Sequence, residues 1–436
     1  MNFKKITLFL IATVILLTLV SCTNTNDKNT NKQIINSNVV ETNDEYTNKQ
    51  IVKSYVFNNK YGTYYTGSSL FLLDGENVVK VKSNTDSKNA DSLSPYYYPG
   101  ICIGETIYGP IGDIRTALYK SNFVSKDTVE TTEWVTNETL LKSFISQKDT
   151  SDSSSYMRSI TNLQSDGQYV YFINIPLKDF WPVYKKNAYK LGRISLDGSK
   201  IEPFGDIIAS TYTLSNNSLY YYDNGYTYNK NSKNEYTIDD LRIGIYKVNL
   251  DGSNKKLIYN DFLKAAEDKR GELGATYCNK LTAINDNLYF IDYSDKGRGR
   301  IAKIKSDGSS LEYICENSAN SFSLDTENNR LFYATGKYGL NQFEPSEVYQ
   351  VSLDTGNEKL LFEDSMDAGR KEFYYYNNCL YGVCDAYHAN SLCGDIYNLS
   401  TKEFNKIGSY PEEEQIDNSY DLFESNKSKE YYLYSK

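Results

Sequence analysis

One histidine in 436 residues leaves most His-based catalytic and metal sites without parts. Basic residues are also short: 47 Lys and Arg face 56 Asp and Glu, for a formal charge of −9. A nucleic-acid binder needs a basic stripe for phosphates, so that class is excluded. Long apolar runs are missing beyond residue 20, and the mean hydropathy of −0.57 rules out a polytopic membrane protein. No Gly-x-Ser-x-Gly segment occurs, so an α/β-hydrolase nucleophile elbow is absent. Tyrosine, in contrast, is abundant at 42 residues.

The N-terminal segment reads as an address. Lys4 and Lys5 precede an apolar run from Ile6 to Val20, the pattern of an export signal. The run is shorter than the roughly 20 apolar residues of a membrane-spanning helix. It ends in Leu19-Val20-Ser21-Cys22, which resembles the lipobox of bacterial lipoproteins. That resemblance implies cleavage after residue 21 and lipidation of Cys22, and hence a protein held on the outer face of the cell membrane by its lipid anchor alone. Residues 22–50 are polar and rich in Asn and Thr. They bury too little apolar surface to offset ordering entropy and are expected to form a disordered tether. Such a tether spans about 30 Å root-mean-square.

From residue 51 onward the chain repeats one phrase. A short strand and a polar turn lead to a Tyr-rich strand; after a variable connection comes a strand ending in Asp-Gly, then a last strand. Tyr-rich members include Val170-Tyr171-Phe172-Ile173-Asn174, Leu219-Tyr220-Tyr221-Tyr222-Asp223, Leu288-Tyr289-Phe290-Ile291-Asp292, Leu331-Phe332-Tyr333-Ala334-Thr335 and Leu380-Tyr381-Gly382-Val383. Leu196-Asp197-Gly198, Leu250-Asp251-Gly252 and Ser306-Asp307-Gly308 supply hairpin turns in which Gly accepts the positive φ. The Tyr-rich strands recur every 43–69 residues or about that, the period of four-stranded propeller blades carrying insertions. The expected fold is therefore all-β: one β-propeller over residues 51–436, with seven blades as the best count and six or eight as alternatives. Inter-blade insertions are expected near 130–159 and 260–280, with helical patterns at 137–145 and 261–270. Both chain ends are expected to complete one shared blade: 420–434 as the inner strands and 69–82 as the outer pair. That arithmetic leaves the hairpin-like segment 52–66 over.

These strands, with Ile245-Tyr246-Lys247-Val248-Asn249-Leu250-Asp251-Gly252-Ser253, resemble the YWTD propellers of low-density-lipoprotein-receptor-type proteins. The resemblance is nearer to bacterial extracytoplasmic propeller domains of unknown function, and it is clear over 168–404. The chain departs from the receptor type in having no Trp at the second motif position.

Connection lengths point to one face. In an up-and-down blade the 1–2 and 3–4 turns share one face, and here they are short. The long connections, at 175–187, 224–242, 336–346 and 385–391, with inter-blade segments 83–99, 130–159 and 260–280, fall on the other. Long loops in compact domains commonly carry function. They hold Trp181, Tyr184, Tyr226, Tyr228, Tyr236, Tyr338, Phe343 and Tyr387, the candidate binding residues, since aromatic rings with a polar edge suit protein and sugar surfaces. The expected partner is a protein, peptide or envelope glycan, bound by a monomer without catalysis. The alternative is a glycosidase or lyase with paired carboxylates at the channel mouth, drawn from Asp223, Asp292, Glu344, Glu347 and Asp385. Cys384 and Cys393 would stand opposite each other in a symmetric hairpin, either as a disulfide or as buried thiols. Cys384, His388 and Cys393 match no strong zinc pattern, and no metal or cofactor is expected.

Overall fold

A computed structural model describes residues 56–407 apart from 67–69, 75–76, 86–99, 111–116, 145–156, 178–189, 216, 229–235, 239–241, 263–277, 296–297, 316, 336–345, 365–371 and 387–390. The repeat becomes seven blades, each of four antiparallel strands, arranged as a β-propeller. Blade one is Val56–Asn59, Gly62–Thr66, Leu70–Asp74 and Asn77–Lys80; blade two is Ile101–Ile103, Thr106–Pro110, Leu118–Ser125 and Thr128–Val135. Blade three is Met157–Ser165, Tyr169–Leu177, Lys190–Ser195 and Ile201–Ile208. Blade four is Thr211–Ser215, Ser218–Asp223, Gly244–Asn249 and Lys256–Tyr259. Blade five is Cys278–Ile284, Asn287–Asp295, Arg298–Lys305 and Glu312–Tyr313; blade six is Ala319–Asp325, Arg330–Thr335, Ser346–Ser352 and Glu358–Asp364. Blade seven is Glu372–Tyr376, Cys379–Ala386, Ser391–Asn398 and Phe404–Ile407.

The Tyr-rich second strands are apolar on both faces because each blade is sandwiched between two others. All six residues of Ser218–Asp223 are buried. Apolar clusters form between successive blades around the whole ring. Tyr64, Cys102 and Val129 join blades one and two, while Tyr171, Leu191 and Tyr212 join three and four. Tyr222, Leu281 and Phe290 join four and five. Val56, Tyr65, Tyr376 and Ile396 close the circle between blades one and seven. First strands of neighbouring blades meet around the axis and are tied there by side chains. The buried Gln164 amide donates to the Tyr212 carbonyl at 2.7 Å and accepts from the Leu214 N–H at 3.0 Å. Thr213 accepts from the Ala283 N–H, and Ser323 from the Tyr375 N–H.

The Leu-Asp-Gly phrase has a specific task. Gly198, Gly252, Gly308 and Gly356 take positive φ, and Asp197, Asp251 and Asp307 each accept the N–H of a serine two residues on. The residue before the Asp docks the 3–4 turn on the 1–2 turn of its own blade. N–H groups of Leu196, Leu250, Ser306, Leu353 and Leu399 donate to carbonyls of Gln168, Asn217, Asp286, Asn329 and Asn378. At Gly308 a Cβ would meet the Ile258 carbonyl oxygen of the preceding blade at 2.4 Å, so turn and packing both require glycine there.

Three sequence expectations are corrected. The first blade is complete within 56–80: the segment left over in the sequence arithmetic is its inner hairpin, with Val56 opposite Tyr65 and Tyr65 opposite Phe71. The circle closes by packing of blade one on blade seven, and residues 420–434 lie outside the described residues. The insertion expected from 130 begins only after Val135, because Thr128–Val135 is the outer strand of blade two. Within the connection expected at 83–99, Lys82–Thr85 adds a fifth, parallel strand against Thr128–Val135.

The helix expected at 137–145 is present as Asn137–Phe144, with the Thr136 hydroxyl accepting the Thr139 N–H. Its apolar stripe covers the seam between blades two and three, where Phe144 meets Phe172 edge-on. Of the second helical pattern only Asp261 and Phe262 are described; Phe262 is buried against Tyr222, Tyr259 and Phe290.

Candidate binding rim

Strand order fixes where the long connections emerge. Each second strand runs from the short-turn face to the opposite rim, so connections between second and third strands, and between blades, share that rim. On blade four the connection is itself structured. Tyr226–Tyr228 and Tyr236–Ile238 pair as a separate two-stranded ribbon, with Tyr226 opposite Ile238, Thr227 opposite Thr237 and Tyr228 opposite Tyr236.

An ion pair roots the ribbon. Asp223, the last residue of its Tyr-rich strand, accepts the Gly225 N–H of the outgoing chain at 2.9 Å. Arg242 of the returning chain donates to both Asp223 oxygens at 3.0 Å. Gly225 has φ of 75°, which turns the chain from blade into ribbon. Burial raises the Asp223 carboxyl above its ordinary pKa, while the Gly225 N–H and Arg242 pull it down.

The matching position in blade five is Asp292, which is fully buried. It stands opposite Arg300 and accepts from the Ser294 N–H and the Tyr313 hydroxyl, each at 2.8 Å. The Arg300 guanidinium lies 3.8 Å from the Tyr313 ring centroid. Burial, then the Asp292 charge, pushes Tyr313 up to about 12. In blade six Thr335 takes this place, accepting the Glu347 N–H at 2.9 Å. Glu347 itself accepts from the Tyr349 hydroxyl at 2.7 Å.

The structure thus gathers Tyr226, Tyr228 and Tyr236 and gives Asp223, Asp292 and Glu347 structural partners. Trp181, Tyr184, Tyr338, Phe343, Glu344, Tyr387 and His388 lie outside the described residues, as does Cys22. Asp385 sits on the rim in register with Leu392, and Cys384 is directly opposite Cys393. Sequence reasoning missed Arg242 and Tyr313, because each serves an acid in another strand. A lone Arg closing a long connection was the available signal for the first.

No family model matches the chain, and no curated protein matches it. Solved structures similar to it include the nidogen–laminin complex, at 11% identity over 67% of this chain and 90% of that one, with a TM-score of 0.38. TolB from Acinetobacter baumannii is 10% identical over 67% of this chain and 59% of that one, with a TM-score of 0.40. Oligogalacturonate lyase in complex with manganese is 10% identical over 84% of this chain and 82% of that one, also at 0.40.

Proposed function

We propose that the chain is an exported lipoprotein whose monomeric propeller, tethered through Cys22, binds an envelope protein, peptide or glycan on its long-connection rim without catalysis. The observation that carries this reading is the paired ribbon of Tyr226–Tyr228 and Tyr236–Ile238, which holds three tyrosines in its sequence and whose root is held by Asp223 and Arg242. Tyrosines carried on a paired backbone contribute contact area, and the pairing lowers the backbone ordering cost on binding. Three of the five carboxylates considered for an enzyme favour the same reading: Asp223 and Asp292 are buried and engaged in hydrogen bonds within their blades, and Glu347 accepts from Tyr349.

The platform is tested by capture from envelope extracts, divided into protease-treated and glycosidase-treated portions. Exchanging both Tyr228 and Tyr236 for Ala is expected to weaken retention at least tenfold, as for loss of central aromatic anchors, with circular dichroism unchanged. Equal retention by the folded variant defeats the proposed surface. The anchor is tested separately: Cys22→Ser is expected to move the protein from the membrane to the soluble fraction, because two acyl chains hold stably and none remains.

A further inference from the structure

One position does the same work in successive blades, and blade seven fills it differently. It is the fifth residue of the Tyr-rich motif, on the long-connection rim: Asp223, Asp292, Thr335 and, in blade seven, Cys384. Asp223 is clasped by Arg242 of the chain returning to the third strand, Asp292 accepts from the Tyr313 hydroxyl of the fourth strand, and the Thr335 hydroxyl is bonded to the backbone of Glu347 in the third strand. Each contact ties the second strand to the part of its blade that follows the long connection. Cys384 lies in an unbroken register from Cys379 opposite Asn398 to Ala386 opposite Ser391, and its partner is Cys393.

We propose that Cys384 and Cys393 form a cross-strand disulfide, the covalent counterpart of the polar clasps in blades four to six. Directly opposed residues of an antiparallel pair have Cα atoms about 4.5 or 5.5 Å apart, and both spacings lie within the range a disulfide spans. The two thiols lose two protons and two electrons, the sulfurs bond, and a disulfide oxidant such as oxidised glutathione takes up both and leaves as two thiols. The bond encloses residues 385–392 and fixes the root of another connection on the rim that carries the ribbon. It does not depend on what that rim binds.

Trypsin makes the test direct, since residues 372–402 contain no Lys or Arg before Lys402 and hold Cys379, Cys384 and Cys393 together. The full-length protein, equilibrated with oxidised and reduced glutathione, is denatured, alkylated with iodoacetamide and digested. This peptide is expected to carry one alkyl group without reductant, located on Cys379, and three after reduction. A second variant, Cys393→Ser, is expected to leave Cys384 open to alkylation or to glutathione. Three alkyl groups without reductant, glutathione adducts on Cys384 and Cys393 of the unaltered protein, or a bridge that includes Cys379 would each overturn the proposal. Loss of partner capture by the Tyr variants would leave this result unaffected, so the two readings fail separately.

Discussion

Alkali is expected to unfold the propeller in one cooperative step between about pH 10 and pH 12. The cause lies in where the tyrosines sit. Tyr64 and Tyr289 are buried and their hydroxyls are raised to about 12, first by burial and then by nearby groups, chiefly Tyr61 and Asp127 for Tyr64 and Glu312 for Tyr289. Tyr171, Tyr221, Tyr376 and Tyr381 are raised for the same first reason. A folded-state pKa above the unfolded value gives stability that is complete below about pH 10 and lost as pH climbs through the folded value. Two pH units correspond to about 2.7 kcal/mol for each tyrosine, so Tyr64 and Tyr289 together withdraw about 5 kcal/mol. That is comparable to the whole stability of many domains, roughly 5–15 kcal/mol. Tyrosinate absorbance and circular dichroism should therefore change together. Smooth ionisation near pH 10 with the sheet signal intact would show that the hydroxyls reach solvent in the folded state.

Much of the architecture was legible because the propeller writes each blade into the chain as a contiguous phrase. Asp-Gly turns marked the outer hairpins, and Leu-Tyr-x-x-Asp marked strands enclosed on both sides. Blade one escaped because Val56–Asn59 and Gly62–Thr66 look like any hairpin, and only their pairing with Leu70–Asp74 shows that the N-terminal region needs no help from residues 420–434. The parallel strand Lys82–Thr85 was not readable either: its Lys-Ser-Asn-Thr sequence has weak strand character, and register against Thr128–Thr131 supplies its bonds.

The rim was legible in part. Loop lengths located it, and the aromatic count selected Tyr226, Tyr228 and Tyr236, but pairing was needed to join them in one ribbon. The candidate acids misled for a physical reason. A motif-ending Asp looks available in sequence, yet Asp292 faces inward, where the Ser294 N–H and Tyr313 hydroxyl use its oxygens. An acid was overlooked at the other end of the blades, as the last residue of an inner strand.

That acid is Asp325, and its removal is expected to be among the most damaging single changes in the chain. Its side chain is fully buried at the short-turn end of the inner strand of blade six. It accepts from Arg330 Nε at 2.9 Å and Nη2 at 2.6 Å, and from the Asn328 side chain at 2.8 Å. The Arg330 guanidinium also lies over Phe332 of its own blade and Tyr375 of blade seven. Asp325→Ala strands that cation, whose side chain is only 22% exposed, and is expected to cost about 3–5 kcal/mol, read from the urea midpoint. Asp325→Asn keeps the shape and one acceptor and is expected to cost less. Adding Arg330→Met to Asp325→Ala is expected to recover much of the loss, because an apolar pair of similar volume no longer buries an unmatched charge. A double variant as unstable as Asp325→Ala would mean that the carboxylate acts through Asn328 or the Tyr375 hydroxyl rather than through Arg330. A ring held by seams between blades makes the distinction worth measuring: the Asn328 bond lies within blade six, whereas Arg330 and the Tyr375 hydroxyl both tie Asp325 to the seam with blade seven.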